Sequence, residues 1–234
     1  MVRNLAQATL LFGGQHPRSI LIQPMTKRTK SSQLWLERQK RDPYVKKAST
    51  GGLGSRAHFK LAQLDARFGL LRRRPPVLEL GAAPGGWTRY LADKLGGGHV
   101  IAVDYRPMKA PPGVTYLCLD IASDELDVAL VGLLGASKVG LVLSDMSPNI
   151  SGVKVTDQAA AMELADLAKD TATRWLEPGG ALVVKMFQGS GIDEWTKNVR
   201  RLFLKVTLAK PAASRSESRE VFAVATGFTG TGAH

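Results

Sequence analysis

The chain has a single cysteine, no long apolar run and no acidic residue before Glu37. One cysteine, Cys118, excludes an internal disulfide, and no cluster of Cys and His has the spacing of a metal site. Because no apolar run reaches 18 residues, we expect no transmembrane helix and no membrane partner. These absences exclude a disulfide-stabilised scaffold and favour a reducing compartment. We predict that Cys118 is a buried residue of a strand.

Positive charge is in large excess, with 32 Lys and Arg against 20 Asp and Glu and a net charge of +12. Such a chain attracts polyanions, and counterion release makes that attraction sensitive to salt. The excess is densest in residues 27–47, which end in Lys46 and Lys47 and also contain Trp35 and Tyr44. Because cations hold phosphates while aromatic rings stack on bases, we predict that this segment binds RNA. The alternative is a solvated arm, and for Trp35 itself we favour a role as the residue that anchors the arm to the core.

The first 30 residues show no sustained periodicity. We predict a disordered basic extension over 1–30 and one domain over 31–230. Residues 1–24 carry only two basic residues, which favours an in-frame extension upstream of a start at Met25 over a transit peptide. The first alternative predicts a bacterial cytoplasmic protein, and the second predicts a mitochondrial one.

Short apolar runs alternate with amphipathic stretches after Pro76. Strands that alternate with helices form right-handed βαβ units and a mostly parallel sheet. The last two strands are joined without a helix, so we expect an antiparallel hairpin at one edge. The predicted fold is α/β and Rossmann-like, with seven strands. The strands are predicted at 77–80, 99–104, 114–119, 139–144, 181–185, 203–210 and 220–227, and the helices at 56–70, 86–95, 123–134, 156–176 and 192–202.

A glycine-rich loop, GAAPGGW, follows the first predicted strand and begins at Gly81. Ligands of open α/β sheets bind outside the carboxyl ends of the strands, where small residues allow close approach to the backbone. Asp104 ends the second strand and is placed to accept hydrogen bonds from a ribose diol, while Asp120 ends the third and suits an adenine amino group. This plan resembles that of class I methyltransferases, which bind S-adenosylmethionine. A turn that serves packing alone is the alternative.

Charged residues are predicted to meet at the same edge of the sheet. Asp145 and Lys185 end parallel strands, and Glu220 begins an antiparallel one, so all three face a ligand there. Lys60, on the helix before the first strand, could cover this edge from outside. A ribose 2′-hydroxyl attacks a methyl sulfonium only with the help of a base or of cations. We predict Lys185 as the base, with the other three residues positioning it, although each alone is typical of a surface ion pair.

Five segments together resemble the FtsJ/RrmJ family of RNA 2′-O-ribose methyltransferases, over about residues 31–227. They are SRAHFKL, LELGAAPGGW, LSDMSPN, LVVKMFQG and SRSESREVFAVATG. The resemblance is greatest to members that methylate uridine in bacterial 23S rRNA. It implies S-adenosylmethionine as cofactor, large-subunit rRNA in the 50S subunit as substrate, and a Lys-Asp-Lys-Glu catalytic tetrad. The implied catalytic residues are Lys60, Asp145, Lys185 and Glu220. The cofactor-binding residues are Gly81, Gly85, Gly86, Trp87, Asp104, Asp120 and Asp145, and the RNA-binding residues are Lys46, Lys47 and Arg56.

The chain departs from the family pattern at Ser147, where we expect Ala, and at His58, where we expect an aromatic residue. Neither departure touches the tetrad. Two other functions remain open on the sequence: methylation of tRNA or of a cap ribose, and a non-catalytic RNA-binding assembly factor. The complete tetrad argues against the last of these. We expect a monomer.

Overall fold

A seven-stranded sheet organises the part of the chain that the computed structural model describes, residues 55–72 and 75–230. The predicted extension over 1–30, Lys46 and Lys47 lie outside these described residues. The strands are β1 (Val77–Leu80), β2 (Val100–Asp104), β3 (Thr115–Cys118), β4 (Val139–Ser144), β5 (Leu176–Phe187), β6 (Phe203–Ala209) and β7 (Glu220–Phe228). The helices are α1 (Ala57–Phe68), α2 (Gly86–Leu95), α3 (Glu125–Leu134), α4 (Lys154–Trp175) and α5 (Ile192–Val199), with a short 3-10 turn at Gly97–His99.

The strand order is β3-β2-β1-β4-β5-β7-β6, and the first five strands of the chain pair in parallel. β7 runs antiparallel to both β5 and β6. This confirms the predicted α/β fold with antiparallel strands at its C-terminal edge. Because Phe187 pairs with Glu220, the amino end of β7 lies beside the carboxyl end of β5. The order reverses between β1 and β4, which is the switch point where such sheets bind ligands.

Helices cover both faces of the sheet. α1 and α2 bury Leu61, Leu64 and Trp87 against one face, and α3, α4 and α5 cover the other. α4 turns small residues toward the sheet at helical spacing, namely Ala161, Ala165, Ala168 and Ala172. Small side chains let this long helix approach the strands closely, and each buried leucine on the other face adds roughly 1.5–3 kcal/mol of hydrophobic stabilisation.

Most predicted limits of the helices and strands agree with the structure to within two residues, and β5, α5 and Cys118 differ more from the prediction. β5 begins at Leu176 rather than 181, because Leu176 pairs with Val139 before an irregularity after which Leu141 pairs with Ala181. α5 ends at Val199, three residues before the predicted end. The prediction that Cys118 is buried was wrong: Cys118 is exposed, because β3 is an edge strand with one neighbour.

Within the two described ranges, no helix combines the length and the apolarity that crossing a membrane requires.

Candidate active site

A cavity of about 480 Å³ opens at the carboxyl ends of β1 to β4. Four residues predicted to bind a cofactor form part of its wall: Gly81, Asp104, Asp120 and Asp145. The other lining residues include a single charged side chain, that of Arg106. They are Ala83, Tyr105, Arg106, Ile121, Met146, Ser147, Asn149, Leu164 and Leu167.

Gly81 lies where the loop after β1 passes close to the chain after β4. Its φ of +76° is in the left-handed region, and a Cβ there would lie 2.7 Å from the Met146 Cγ and 3.0 Å from the Met146 nitrogen. A side chain at Gly81 therefore meets both backbone strain and a steric clash at the cavity wall.

Replacing Gly81 by Ala is expected to lower the free energy of unfolding by about 2–4 kcal/mol, from strain plus overpacking. Gly96 is a matched control, since its φ is +71° and a Cβ there would meet nothing within 4 Å. Gly96→Ala should cost only the strain, about 1 kcal/mol. Urea denaturation measures both, and equal losses for the two variants would show that the contact with Met146 is unimportant.

Gly85, Gly86 and Trp87 do not line this cavity, although the sequence placed all three at the cofactor. Trp87 is 2% exposed, and its Nε1 donates a hydrogen bond to the Ala57 carbonyl at 2.9 Å. A Cβ at Gly86 would lie 2.4 Å from the Ser55 Oγ, so this glycine allows α2 to pack on the start of α1. Any contact of these residues with a ligand would therefore come from main-chain atoms at the start of α2.

The Asp104 carboxylate is buried at the end of β2 and is held by several donors. Burial alone would raise the pKa of Asp104. Hydrogen bonds from Arg106 and from the Ala83 N–H, with the charge of the Arg106 guanidinium, outweigh burial and hold that pKa below its ordinary value. Asp120, two residues after β3, is exposed by contrast, and its Oδ1 accepts from the Ala122 N–H at 2.9 Å.

Glu79 is a buried acid beneath the cavity. It belongs to the segment LELGAAPGGW, but the sequence did not predict it as a site residue. It is 1% exposed, and its Oε2 accepts a hydrogen bond from the Thr88 hydroxyl at 2.7 Å. Burial, and the nearby charges of Asp145 and Asp104, raise the pKa of Glu79 to about 8 despite the Thr88 hydrogen bond. Glu79 is therefore mostly protonated at neutral pH.

Glu79→Gln is expected to stabilise the protein increasingly as the pH rises from about 4.5 to 8, relative to the unchanged chain. The folded carboxyl keeps its proton over this range, whereas the unfolded one loses it, so rising pH favours unfolding by up to a few kcal/mol. The amide cannot ionise and still accepts from Thr88. Denaturation at several pH values measures the difference. Glu163→Gln, at an exposed glutamate of α4, is the control, and an equally pH-dependent gain there would contradict this assignment.

Lys185 and Asp145 form one ion pair at the edge of the cavity. The Lys185 Nζ donates to the Asp145 main-chain carbonyl at 2.6 Å and lies 3.2 Å from the Asp145 Oδ1. The side chains are 9% and 20% exposed. Because Asp145 also lines the cavity, this pair places the Lys185 side chain beside the cavity.

Lys60 and Glu220 form a second ion pair at the same edge. The Lys60 Nζ lies 2.7 Å from the Glu220 Oε2, and the side chains are 13% and 11% exposed. Burial would raise the pKa of Glu220. The Lys60 charge and hydrogen bond, the Ser214 hydroxyl and the Lys185 charge outweigh it and lower that pKa. The four residues of the predicted tetrad are thus brought together as two pairs that interact electrostatically.

The polar loop before β7 supports the second pair. The Ser214 hydroxyl donates to the Glu220 Oε1 at 2.8 Å, a contact the sequence reasoning missed because a serine in a polar loop is an ordinary residue. Arg56, predicted to hold RNA, donates through Nε to the Ala213 carbonyl at 3.1 Å and also through its Nη2. Gln63 accepts from the Ala213 N–H at 2.9 Å. α1 therefore fixes the loop that positions Glu220.

The arrangement places two lysine–carboxylate pairs beside a cavity walled by Asp104 and Asp120, at the switch point of a parallel sheet. Residues 53–228 match the model of the FtsJ-like methyltransferases. The chain belongs to the FtsJ-like methyltransferase family.

Curated relatives and solved structures agree with this assignment. A protein from Legionella pneumophila (strain Corby), named ribosomal RNA large subunit methyltransferase E, is 45% identical over 202 residues, covering 86% of this chain and 98% of the relative. The protein of the same name from Marinobacter nauticus is 44% identical with the same coverage. A crystal structure described as a ribosomal RNA methyltransferase from Plasmodium falciparum has a TM-score of 0.68 and 26% identity, covering 75% of this chain and 98% of that one.

Proposed function

We propose that this protein transfers the methyl group of S-adenosylmethionine to a ribose 2′-hydroxyl, at a uridine, of large-subunit rRNA. The observation that carries the proposal is the position of Asp145, which lines the cavity and holds the Lys185 Nζ at its carbonyl. The names of the relatives, which the chain covers almost completely, favour large-subunit rRNA as the acceptor. We further propose that the protein acts as a monomer on the 50S particle in the bacterial cytoplasm.

The cavity residues fit the proposed cofactor. Gly81 leaves room at the backbone, and Asp145 lies next to Lys185, the proposed base. The carboxylates of Asp104 and Asp120 line the cavity and are proposed to accept from the ribose diol and from the adenine amino group. S-adenosylmethionine, when bound, supplies a methyl group on a cationic sulfur. Main-chain N–H groups in the first turn of α2 are further donors for it.

The proposed chemistry is an in-line displacement at the methyl carbon. Bound S-adenosylmethionine would supply the methyl group to the hydroxyl oxygen, and Lys185, once it has lost a proton to become a neutral amine, would take the hydroxyl proton at its Nζ. Asp145 orients this Nζ through its carbonyl at 2.6 Å. Lys60 adds a positive charge that stabilises the developing alkoxide, and Glu220 holds Lys60 in place at 2.7 Å.

RNA binding is proposed for the basic segment and for Arg56. The net charge of +12 supports attraction of a polyanion, since neutralising phosphates releases counterions. Lys46 and Lys47 are proposed to contact phosphates but lie outside the described residues. We propose that Arg56 fixes the loop around Ala213. Its positive charge is proposed to face the RNA substrate.

The proposal is tested with purified protein, tritiated S-adenosylmethionine and separate preparations of 50S subunits, free 23S rRNA and tRNA. We expect label in the 50S subunits, recovered after alkaline hydrolysis in stable dinucleotides, because a 2′-O-methyl group blocks cleavage at that ribose. Label in tRNA alone would replace rRNA by tRNA as the substrate. Binding of subunits without any transfer of label would support a non-catalytic assembly factor instead.

A further inference from the structure

Four donors hold the carboxylate of Asp104. Two are main-chain groups, since the Ala83 N–H donates to Oδ2 and the Arg106 N–H to Oδ1, each at 2.9 Å. The other two belong to the Arg106 guanidinium, whose Nε donates to Oδ1 and whose Nη2 donates to Oδ2, each at 3.1 Å. A carboxylate offers about four lone-pair positions, so all acceptor positions of Asp104 are in use.

The two kinds of donor differ in how easily they move away. The main-chain donors are fixed by the loops after β1 and β2. The Arg106 side chain is 52% exposed, whereas Asp104 is 2% exposed, so the guanidinium approaches the carboxylate from the open side. Arg106 also lines the cavity, and its Nη2 donates to the Ala83 carbonyl at 2.7 Å. Rotation of one exposed side chain would thus free two acceptor positions that face the cavity.

A ribose diol would need those same two positions. It presents two neighbouring O–H donors, as the guanidinium presents two neighbouring N–H donors, and both pair with a carboxylate through two parallel hydrogen bonds. Because the Asp104 carboxylate is otherwise saturated, the diol and the guanidinium exclude each other. The low pKa of Asp104 keeps the carboxylate charged, so one pair of donors is required at all times.

Resting on the proposed cofactor, we infer that Arg106 is a specificity-determining residue that competes with the ribose diol of the nucleoside for Asp104. Binding of the nucleoside displaces the guanidinium. Arg106 therefore weakens the affinity for any ligand that carries both hydroxyls, and it leaves the affinity for a ligand without them unchanged.

The experiment compares Arg106→Leu with the unchanged protein by isothermal titration of S-adenosylhomocysteine, the product, which carries no sulfonium charge. We expect Arg106→Leu to tighten binding by about tenfold, the value of one hydrogen bond to a charged group. Arg106→Lys should tighten it less, because lysine keeps the charge but lacks the fork of donors. Lys109→Leu, at an exposed lysine of the same loop, is the matched control for loss of a charge and should bind as the unchanged protein does.

A second ligand separates competition from a general structural effect. With a 2′,3′-dideoxy analogue of S-adenosylhomocysteine, Arg106→Leu and the unchanged protein should bind equally. Melting temperatures without ligand provide a further readout, since loss of the Arg106–Asp104 pair should lower that of Arg106→Leu. If the Leu variant does not fold, Arg106→Lys carries the test through its smaller tightening.

The outcomes are distinct for the inference and for the proposed function. Equal or weaker binding of S-adenosylhomocysteine by a folded Arg106→Leu variant would overturn the inference and leave the proposed function intact. Equal tightening toward the dideoxy analogue would overturn competition for the diol. Failure of the unchanged protein to bind S-adenosylhomocysteine would overturn the cofactor assignment together with the inference.

Discussion

Replacing Lys185 by Met is expected to reduce methyl transfer by about 10³-fold, the contribution of a well-placed general base. The Met side chain fills a similar volume but cannot take the proton of the 2′-hydroxyl. It also leaves the Asp145 carbonyl without the donor that lies at 2.6 Å. Single-turnover transfer of tritiated methyl to 50S subunits measures the rate of the chemical step.

Two controls distinguish a lost base from a damaged site. The affinity of Lys185→Met for S-adenosylhomocysteine should stay close to that of the unchanged protein, because Asp104 and Asp120 are untouched. Lys169→Met removes a lysine that pairs with Asp166 on α4 at 2.8 Å, outside the cavity, and should leave transfer unchanged. Transfer by Lys185→Met at the wild-type rate would show that another group takes the proton.

Replacing Glu220 by Ala is expected to lower both activity and stability. It leaves the Lys60 ammonium without its partner at 2.7 Å in a site where the side chains are 13% and 11% exposed. Breaking a mostly buried pair from one side costs about 3 kcal/mol of unfolding free energy. Methyl transfer should fall by about 10²-fold, because Lys60 loses its position beside the reacting oxygen.

A double variant separates the two effects of the Lys60–Glu220 pair. Lys60→Met combined with Glu220→Leu should recover most of the lost stability, because apolar replacement of both partners is often neutral. It should not recover transfer. The exposed Lys169–Asp166 pair is the matched control, and Asp166→Ala should cost less than about 1 kcal/mol. Recovery of transfer by the double variant would reduce this pair to a structural role.

The pH dependence of the Glu220 contribution has a definite sign. Since its pKa is lowered in the folded protein, its stabilisation is present above the ordinary value and is lost as the pH falls through the lower folded value. Glu79 acts in the opposite sense, since its pKa is raised to about 8. Glu220→Ala should therefore change the pH dependence of the free energy of unfolding in the acid range. Glu79→Gln should change that dependence up to the neutral range.

Parts of this fold follow directly from the sequence pattern. The runs VLEL and VGLVLS are buried on both faces and bounded by turn residues, so β1 and β4 have the predicted limits. The antiparallel strand that returns Glu220 to Lys185 follows from the absence of a helix before β7. The early start of β5 could not be predicted, because Pro178 and Gly179 indicate a loop and only pairing of Leu176 with Val139 extends the strand.

The charged residues of the candidate site were predicted from the sequence. The contacts that depend on tertiary structure were not. Lys60 was placed mainly by resemblance, and the structure brings it to Glu220. Trp87 belongs to the motif, yet the packing of α1 buries its ring. Arg106 belongs to no sequence motif. Its proposed role depends on its hydrogen bonds to Asp104, which the spacing of residues in the sequence does not predict.

The most direct test of the central claim is a map of ribose methylation on 23S rRNA from cells that lack this gene. Primer extension at low dNTP concentration pauses at 2′-O-methylated nucleotides. We predict that one pause, at a uridine, is lost on deletion, returns with the unchanged gene and does not return with Lys185→Met. A pause pattern identical in deleted and unchanged cells would contradict the proposal that this protein methylates large-subunit rRNA.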